Sequence, residues 1–154
     1  HQDAILASKK IVRQVHEEFK KKFGRGYGDG CIECYKTKDA DKIVVCIGTI
    51  AGTSRVVVDE LRENGEKVGL MKIRLFRPFP HEEIVKVLEN TPNVIVLDRD
   101  ISLGHKGTLF DEIRSCMYGK KANIKGYIVG LGGRDVTRGH IKKAFSMVDQ
   151  EWLM

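Results

Sequence analysis

The stretch Ile43-Val44-Val45-Cys46-Ile47-Gly48-Thr49-Ile50-Ala51-Gly52-Thr53-Ser54 decides the fold. Its first five residues form an unbroken apolar run, the mark of a strand buried on both faces. Gly48 and Gly52 bracket a tight turn. Thr53 or Ser54 is placed to cap a helix running to Asn64, and Gly65 ends it. A strand, a turn and a helix in that order make the opening of a β-α unit.

Working outward, the pattern repeats. Lys67 to Phe76 reads as a second long strand, and Asn93-Val94-Ile95-Val96-Leu97 as a third, buried one. Tyr127 to Leu131 gives a fourth. Between them, Pro80 suits the first position of a helix, whose buried stripe is Ile84, Val87 and Leu88. Gly107 to Tyr118 is helical, with Leu109, Ile113 and Met117 four residues apart. Thr137 caps a last helix carrying Ile141, Ala144, Phe145 and Val148. Strands alternating with amphipathic helices predict an α/β fold: a parallel sheet covered on both faces, three layers deep. Ahead of it, residues 3 to 23 read as a helical arm with Val12, Val15, Phe19 and Phe23 on one face. Gly24 caps it, and residues 24 to 30 are glycine-dense. The expected division is an arm and linker over 1–30 and an α/β domain over 31–154.

Composition narrows the function. The net charge of +6 and pI near 9.2 admit anionic partners. The positive charge is spread along the chain, and no aromatic residues interleave a basic face, so a nucleic-acid reader is not expected. No apolar run reaches the roughly 18–20 residues of a membrane span. His1-Gln2-Asp3-Ala4 is no signal peptide. Without an initiator Met, the chain is expected to begin inside a longer protein. Cys46 and Cys116 sit in apolar patterns. Cys31 and Cys34 form one C-x-x-C, too few ligands for zinc, which points to reduced thiols in the cytoplasm; a redox role for this pair stays open.

Three glycine-containing loops follow strand ends, where open α/β sheets place ligands. Gly48–Ser54 opens a helix and suits an anion, but it is not G-x-G-x-x-G and no acid closes the second strand. Asp98-Arg99-Asp100 with Ser102-Leu103-Gly104-His105-Lys106-Gly107 is the most suggestive. Asp98 and Arg99 are positioned to pair, and Gly104 and Gly107 to admit another chain. In Gly130-Leu131-Gly132-Gly133-Arg134-Asp135-Val136-Thr137, Arg134 is expected to point at a neighbour. The five histidines show no metal spacing, and no G-x-S-x-G is present. No nucleophile, base and orienting group assemble. We expect no catalytic, cofactor-binding or metal-binding residue here.

Five segments carry a resemblance: Phe23-Gly24-Arg25-Gly26-Tyr27; Cys46 to Thr53; Lys67 to Pro80, with its Arg77-Pro78-Phe79-Pro80; Leu97 to Gly104; and Gly130-Leu131-Gly132-Gly133-Arg134-Asp135-Val136-Thr137. In this order and spacing the chain resembles the C-terminal domain of pyruvate:ferredoxin oxidoreductase alpha subunits, itself similar to the transketolase C-terminal domain. The resemblance implies a mixed five-stranded sheet with the strand near Ile32–Lys36 antiparallel. It implies a complex that converts a 2-oxoacid, coenzyme A and oxidised ferredoxin to acyl-CoA, CO2 and reduced ferredoxin. Thiamine diphosphate, magnesium and [4Fe-4S] clusters would lie outside this chain. Its own role would be assembly, with Arg99, Ser102, Gly104, Gly107 and Arg134 at interdomain or subunit contacts and ferredoxin met through the complex. Arg138-Gly139-His140 replaces the proline that often follows Thr137 in the family, which implies a softer helix start. The rival reading is an independent module holding coenzyme A or a nucleotide at Gly48–Ser54.

Overall fold

The apolar runs do what their continuity predicts. In strand β2 (Lys42–Ile47), Ile43 and Val45 point into one core while Val44 and Cys46 point into another. Strand β4 (Asn93–Asp98) repeats this, with Val94 and Val96 on one side and Ile95 and Leu97 on the other. The two-residue period of a strand thus sorts one run into two hydrophobic layers. Each fully buried Val, Leu or Ile side chain contributes about 1.5–3 kcal/mol.

The computed structural model describes residues 1–153. The remaining elements are α1 (Gln2–Phe23), β1 (Ile32–Tyr35), α2 (Ile50–Glu63), β3 (Val68–Ile73), α3 (His81–Leu88), α4 (Thr108–Cys116), β5 (Asn123–Val129), a 3-10 turn (Leu131–Gly133), α5 (Arg138–Phe145) and β6 (Trp152–Leu153). The sheet runs β1-β3-β2-β4-β5-β6, parallel except for β1, which is antiparallel to β3. Helices α2 and α5 cover one face, and α3 and α4 the other. The fold class and the antiparallel β1 match the expectation.

Several boundaries differ, each for a local reason. The sheet has six strands rather than five, because Ile128 and Val129 pair with Trp152 and Leu153. The second long strand stops at Ile73: the N–H groups of Arg74 and Leu75 donate to the Cys31 carbonyl instead of a sheet neighbour. The peptide bond between Arg77 and Pro78 is cis. The fourth parallel strand begins at Asn123, not Tyr127. Its polar start still pairs with β4, Asn93 facing Asn123. It ends at Gly130, where a left-handed backbone (φ 61°) turns the chain. Helix α2 starts at Ile50, three residues before Thr53, and Thr49 occupies the cap position without a side-chain bond. Pro80 sits at the cap of α3 rather than inside it.

The arm behaves differently from the body. Lys9 and Arg13 of α1 bond Glu83, Arg13 also reaches Asp29 at 3.3 Å, and a His16 ring nitrogen lies 3.1 Å from the Gly28 carbonyl. These residues recur four and three apart, so they form one polar edge of the helix. No residue of α1 is buried. Ile11, Val15, Phe19 and Phe23 remain exposed, the last two with ring centroids 4.6 Å apart.

Candidate functional site

Asp98 closes β4 and is 2% exposed. Its two carboxylate oxygens accept from the N–H groups of Leu109 (2.8 Å) and Phe110 (3.0 Å) in the first turn of α4. Asp100 accepts from Thr108 N–H at 3.0 Å. Two aspartates from the preceding strand end therefore satisfy amides that every helix start leaves open. Burial, with Asp100 and Asp111 nearby, pushes the Asp98 carboxyl up to about 6, against the opposing pull of the two amides. Asp98 and Arg99 do not pair.

Gly107 was expected to admit another chain. Its place is filled from within: a Cβ there would lie 2.2 Å from Asp98 Cγ. Arg99 turns toward the neighbouring loop, donating from Nε to the Gly130 carbonyl (3.1 Å) and from Nη2 to the Arg134 carbonyl (3.0 Å). The loops after β4 and β5 are thereby tied together. Arg134, expected to point at a neighbour, is itself engaged within the chain. Thr137 Oγ1 accepts from His140 N–H, and His140 Nδ1 accepts from Thr137 N–H, each at 3.3 Å. This reciprocal cap firms the start of α5, so the missing proline does not soften it.

Ser102 and Gly104 lie on a small turn. Ser102 N–H donates to the Lys106 carbonyl (2.9 Å), His105 N–H to the Ser102 carbonyl (2.8 Å), and Gly104 adopts φ 78° with open space around it. At the tip stands Leu103, 92% exposed. Reading the sequence for polar and glycine residues passed over it. Its signal was a lone leucine between Ser102 and Gly104 in a loop too short to bury it.

The cysteines do not converge. Cys46 and Cys116 lie in opposite cores, so the set does not fit an iron–sulfur cluster, which takes four converging thiolates. Burial pushes the Cys31 thiol up, and Cys34 is also raised by partial burial of its sulfur although the residue as a whole is exposed. Residues three apart along an extended chain are separated by about 10 Å, beyond the reach of a disulfide. Both shifts disfavour the thiolate, the reactive form of a cysteine. Asp29, Cys31 and Glu83 gather within 4.8 Å, but the Arg13 guanidinium already bonds both carboxylates. The cation at this cluster is an arginine, so the residues do not fit magnesium.

What the arrangement offers is a set of braced loops at one sheet edge. The sequence pattern of pyruvate:ferredoxin oxidoreductase core domain II matches residues 40–141. The chain belongs to this family. Among relatives of this oxidoreductase family, the pyruvate synthase subunit PorA of Methanocaldococcus jannaschii is 43% identical over 150 residues, covering 97% of this chain and 38% of that protein. PorA of Thermotoga maritima is 42% identical, covering 93% and 36%. The ketoisovalerate oxidoreductase subunit VorA of Pyrococcus horikoshii is 43% identical over 137 residues, covering 88% and 34%. The chain thus spans little more than a third of these relatives. In fold it is similar to the 2-oxoglutarate:ferredoxin oxidoreductase of Magnetococcus marinus, solved with 2-oxoglutarate, coenzyme A and succinyl-CoA bound (TM-score 0.58, 17% identity, 85% of this chain and 21% of that one). It is also similar to a split-gene transketolase described as an inactive β4 tetramer (TM-score 0.55, 16% identity, 79% and 43%). No helix among the described residues is long and apolar enough to cross a membrane.

Proposed function

We propose that this chain is the assembly domain of a 2-oxoacid:ferredoxin oxidoreductase alpha subunit, with pyruvate as the 2-oxoacid. In that reading it works in the cytoplasm and meets ferredoxin only through the complex. The complete enzyme converts 2-oxoacid, coenzyme A and oxidised ferredoxin to acyl-CoA, CO2 and reduced ferredoxin. Thiamine diphosphate, magnesium and [4Fe-4S] clusters supply carbanion stabilisation and electron transfer elsewhere in it. The pyruvate assignment leans on the PorA relatives.

The observation that carries the assembly role is the uncovered stripe of α1. Ile11, Val15, Phe19 and Phe23 are 43–60% exposed on a helix whose polar edge is already docked. An apolar stripe of this kind marks a surface that another protein element covers. Residues 1–30 act as the docking arm and 31–154 as the body. Leu103 adds a second anchor. Ser102 and Gly104 present it, while Arg99, Gly107 and Arg134 brace the loops behind it.

The test is co-purification. The tagged chain is expressed with the remaining subunits, and pyruvate-dependent viologen reduction is assayed in the recovered complex. Active complex is expected with the wild-type chain. It is expected to be lost with the pair Phe19→Ser and Phe23→Ser, and weakened by Leu103→Glu. Full activity assembled without the chain sinks the proposal.

A further inference from the structure

The α2 face of the sheet carries a charge imbalance that assembly does not use. Strand β3 places Val68, Leu70 and Lys72 on this face, the first two in the core shared with α2. Lys72 follows the same direction and is half-buried. No carboxylate lies within 4 Å of its ammonium among the described residues, and no side chain bonds it. Of its two register partners, Cys46 on β2 offers no countercharge, since burial pushes that thiol up to about 12, and Glu33 on β1 is bonded to Arg55 and lies 3.6 Å from Arg74.

Lys72 opens onto a cleft of about 290 Å³, lined also by Tyr27, Glu33, Gly52, Arg55 and Arg74. The cleft holds three cations and one carboxylate. That carboxylate, Glu33, is spent on Arg55 and on Arg74 at 3.6 Å. The first turn of α2 forms the opposite wall. It has no side-chain cap and no acidic residue, so its positive dipole end is uncompensated. A Cβ on Gly52 would meet nothing within 4 Å, which leaves room for a ligand against the backbone. The cleft lies at the carboxyl ends of β2 and β3, the edge where open α/β sheets bind ligands.

We propose that this cleft binds a compact oxyanion of the phosphate class, with Lys72 as its central charge partner and Arg55 and Arg74 at its rim. A concave pocket with fixed dipoles favours a small, dense anion over an extended acidic peptide.

The experiment titrates the full chain with inorganic pyrophosphate at constant ionic strength, chloride as the control, and follows backbone amide resonances. Saturable shifts at Ala51, Gly52 and Lys72 are expected. Equal affinity for ADP identifies the phosphates alone as the ligand; tighter ADP binding identifies a phosphate carried on a larger molecule. Lys72→Met removes one charge-assisted bond and is expected to weaken binding about tenfold or more. Gly52→Asp supplies a built-in carboxylate at an open helix position; it is expected to abolish the pyrophosphate response and to raise the thermal midpoint without ligand. No saturable shift above chloride overturns the proposal. So does unchanged affinity in both variants, or binding of a glutamate-rich peptide where pyrophosphate fails. None of these results bears on the co-purification outcome.

Discussion

At the residue scale, Asp98 is the most informative group. Its carboxyl is buried, serves two helix amides and fills the space that Gly107 vacates. Asp98→Ala strands two buried N–H groups, each costing about 1–3 kcal/mol. Urea denaturation is expected to show a loss in the upper part of the summed range, and a loss under 1 kcal/mol would contradict this role. The pH dependence runs in a fixed direction. The folded carboxyl titrates at about 6, above its ordinary 3.8. The folded state therefore holds the proton more tightly, and stability rises as pH falls from above 6 toward 4. The difference corresponds to about 3 kcal/mol. Chemical denaturation between pH 7 and 4.5 is expected to show this slope in the wild-type chain and to lose it in Asp98→Asn. None of this was legible in the sequence. Arg99 and Asp98 stood side by side, yet their partners are backbone groups 11 to 35 positions away, and backbone groups leave no mark in residue identity.

At the element scale, the strands were the legible part. A strand buried on both faces is apolar throughout, as Ile43–Cys46 and Val94–Leu97 are, whereas Ile47, the last residue of its run, stands exposed at the strand end. Strand β5 hid its start because Asn123 and Lys125 are polar yet still pair with β4. Strand β6 is two residues long, too short for any period to register. The cation cleft was hidden for another reason: Glu33, Arg55 and Lys72 come from three elements. Its one signal was a lysine at an inward position of Val68–Ile73. Helix α5 starts with a reciprocal cap in which His140 stands where Glu or Gln is usual. Thr137→Ala is expected to cost about 1 kcal/mol, read as a lower denaturation midpoint at unchanged slope. An unchanged midpoint would mean that neighbouring contacts hold α5 without its cap.

On the scale of the whole molecule, the body carries both hydrophobic cores and the arm carries none. The arm is held by ion pairs exposed at Arg13 and Asp29 and partly buried at Lys9 and Glu83, worth about 1 kcal/mol or less apiece. Removing residues 1–23 is therefore expected to lower the thermal midpoint of the body by no more than about 12 °C. The same truncation is expected to abolish recovery of the other subunits. A body that unfolds outright would show that α1 contributes to folding as well as docking. Asp29 and Glu83 anchor the arm as ionised carboxylates. Burial works against them, but amide and Lys9 hydrogen bonds, with Arg13, hold both below their ordinary values. The anchorage is thus complete above the ordinary carboxylate range and fails as acid protonates them.

The docked edge and the exposed stripe of α1 share one rod of 22 residues. Lys9, Arg13 and His16 set its rotation, and Phe19 and Phe23 inherit that rotation through the helical twist. Inserting or deleting a single residue after His16 would swing both phenylalanines by about 100°. Side chains along the solvent flank can drift freely, but the number of residues between clamp and stripe cannot. In mutational terms the arm should accept many exchanges and hardly any indels, the reverse of what surface loops tolerate.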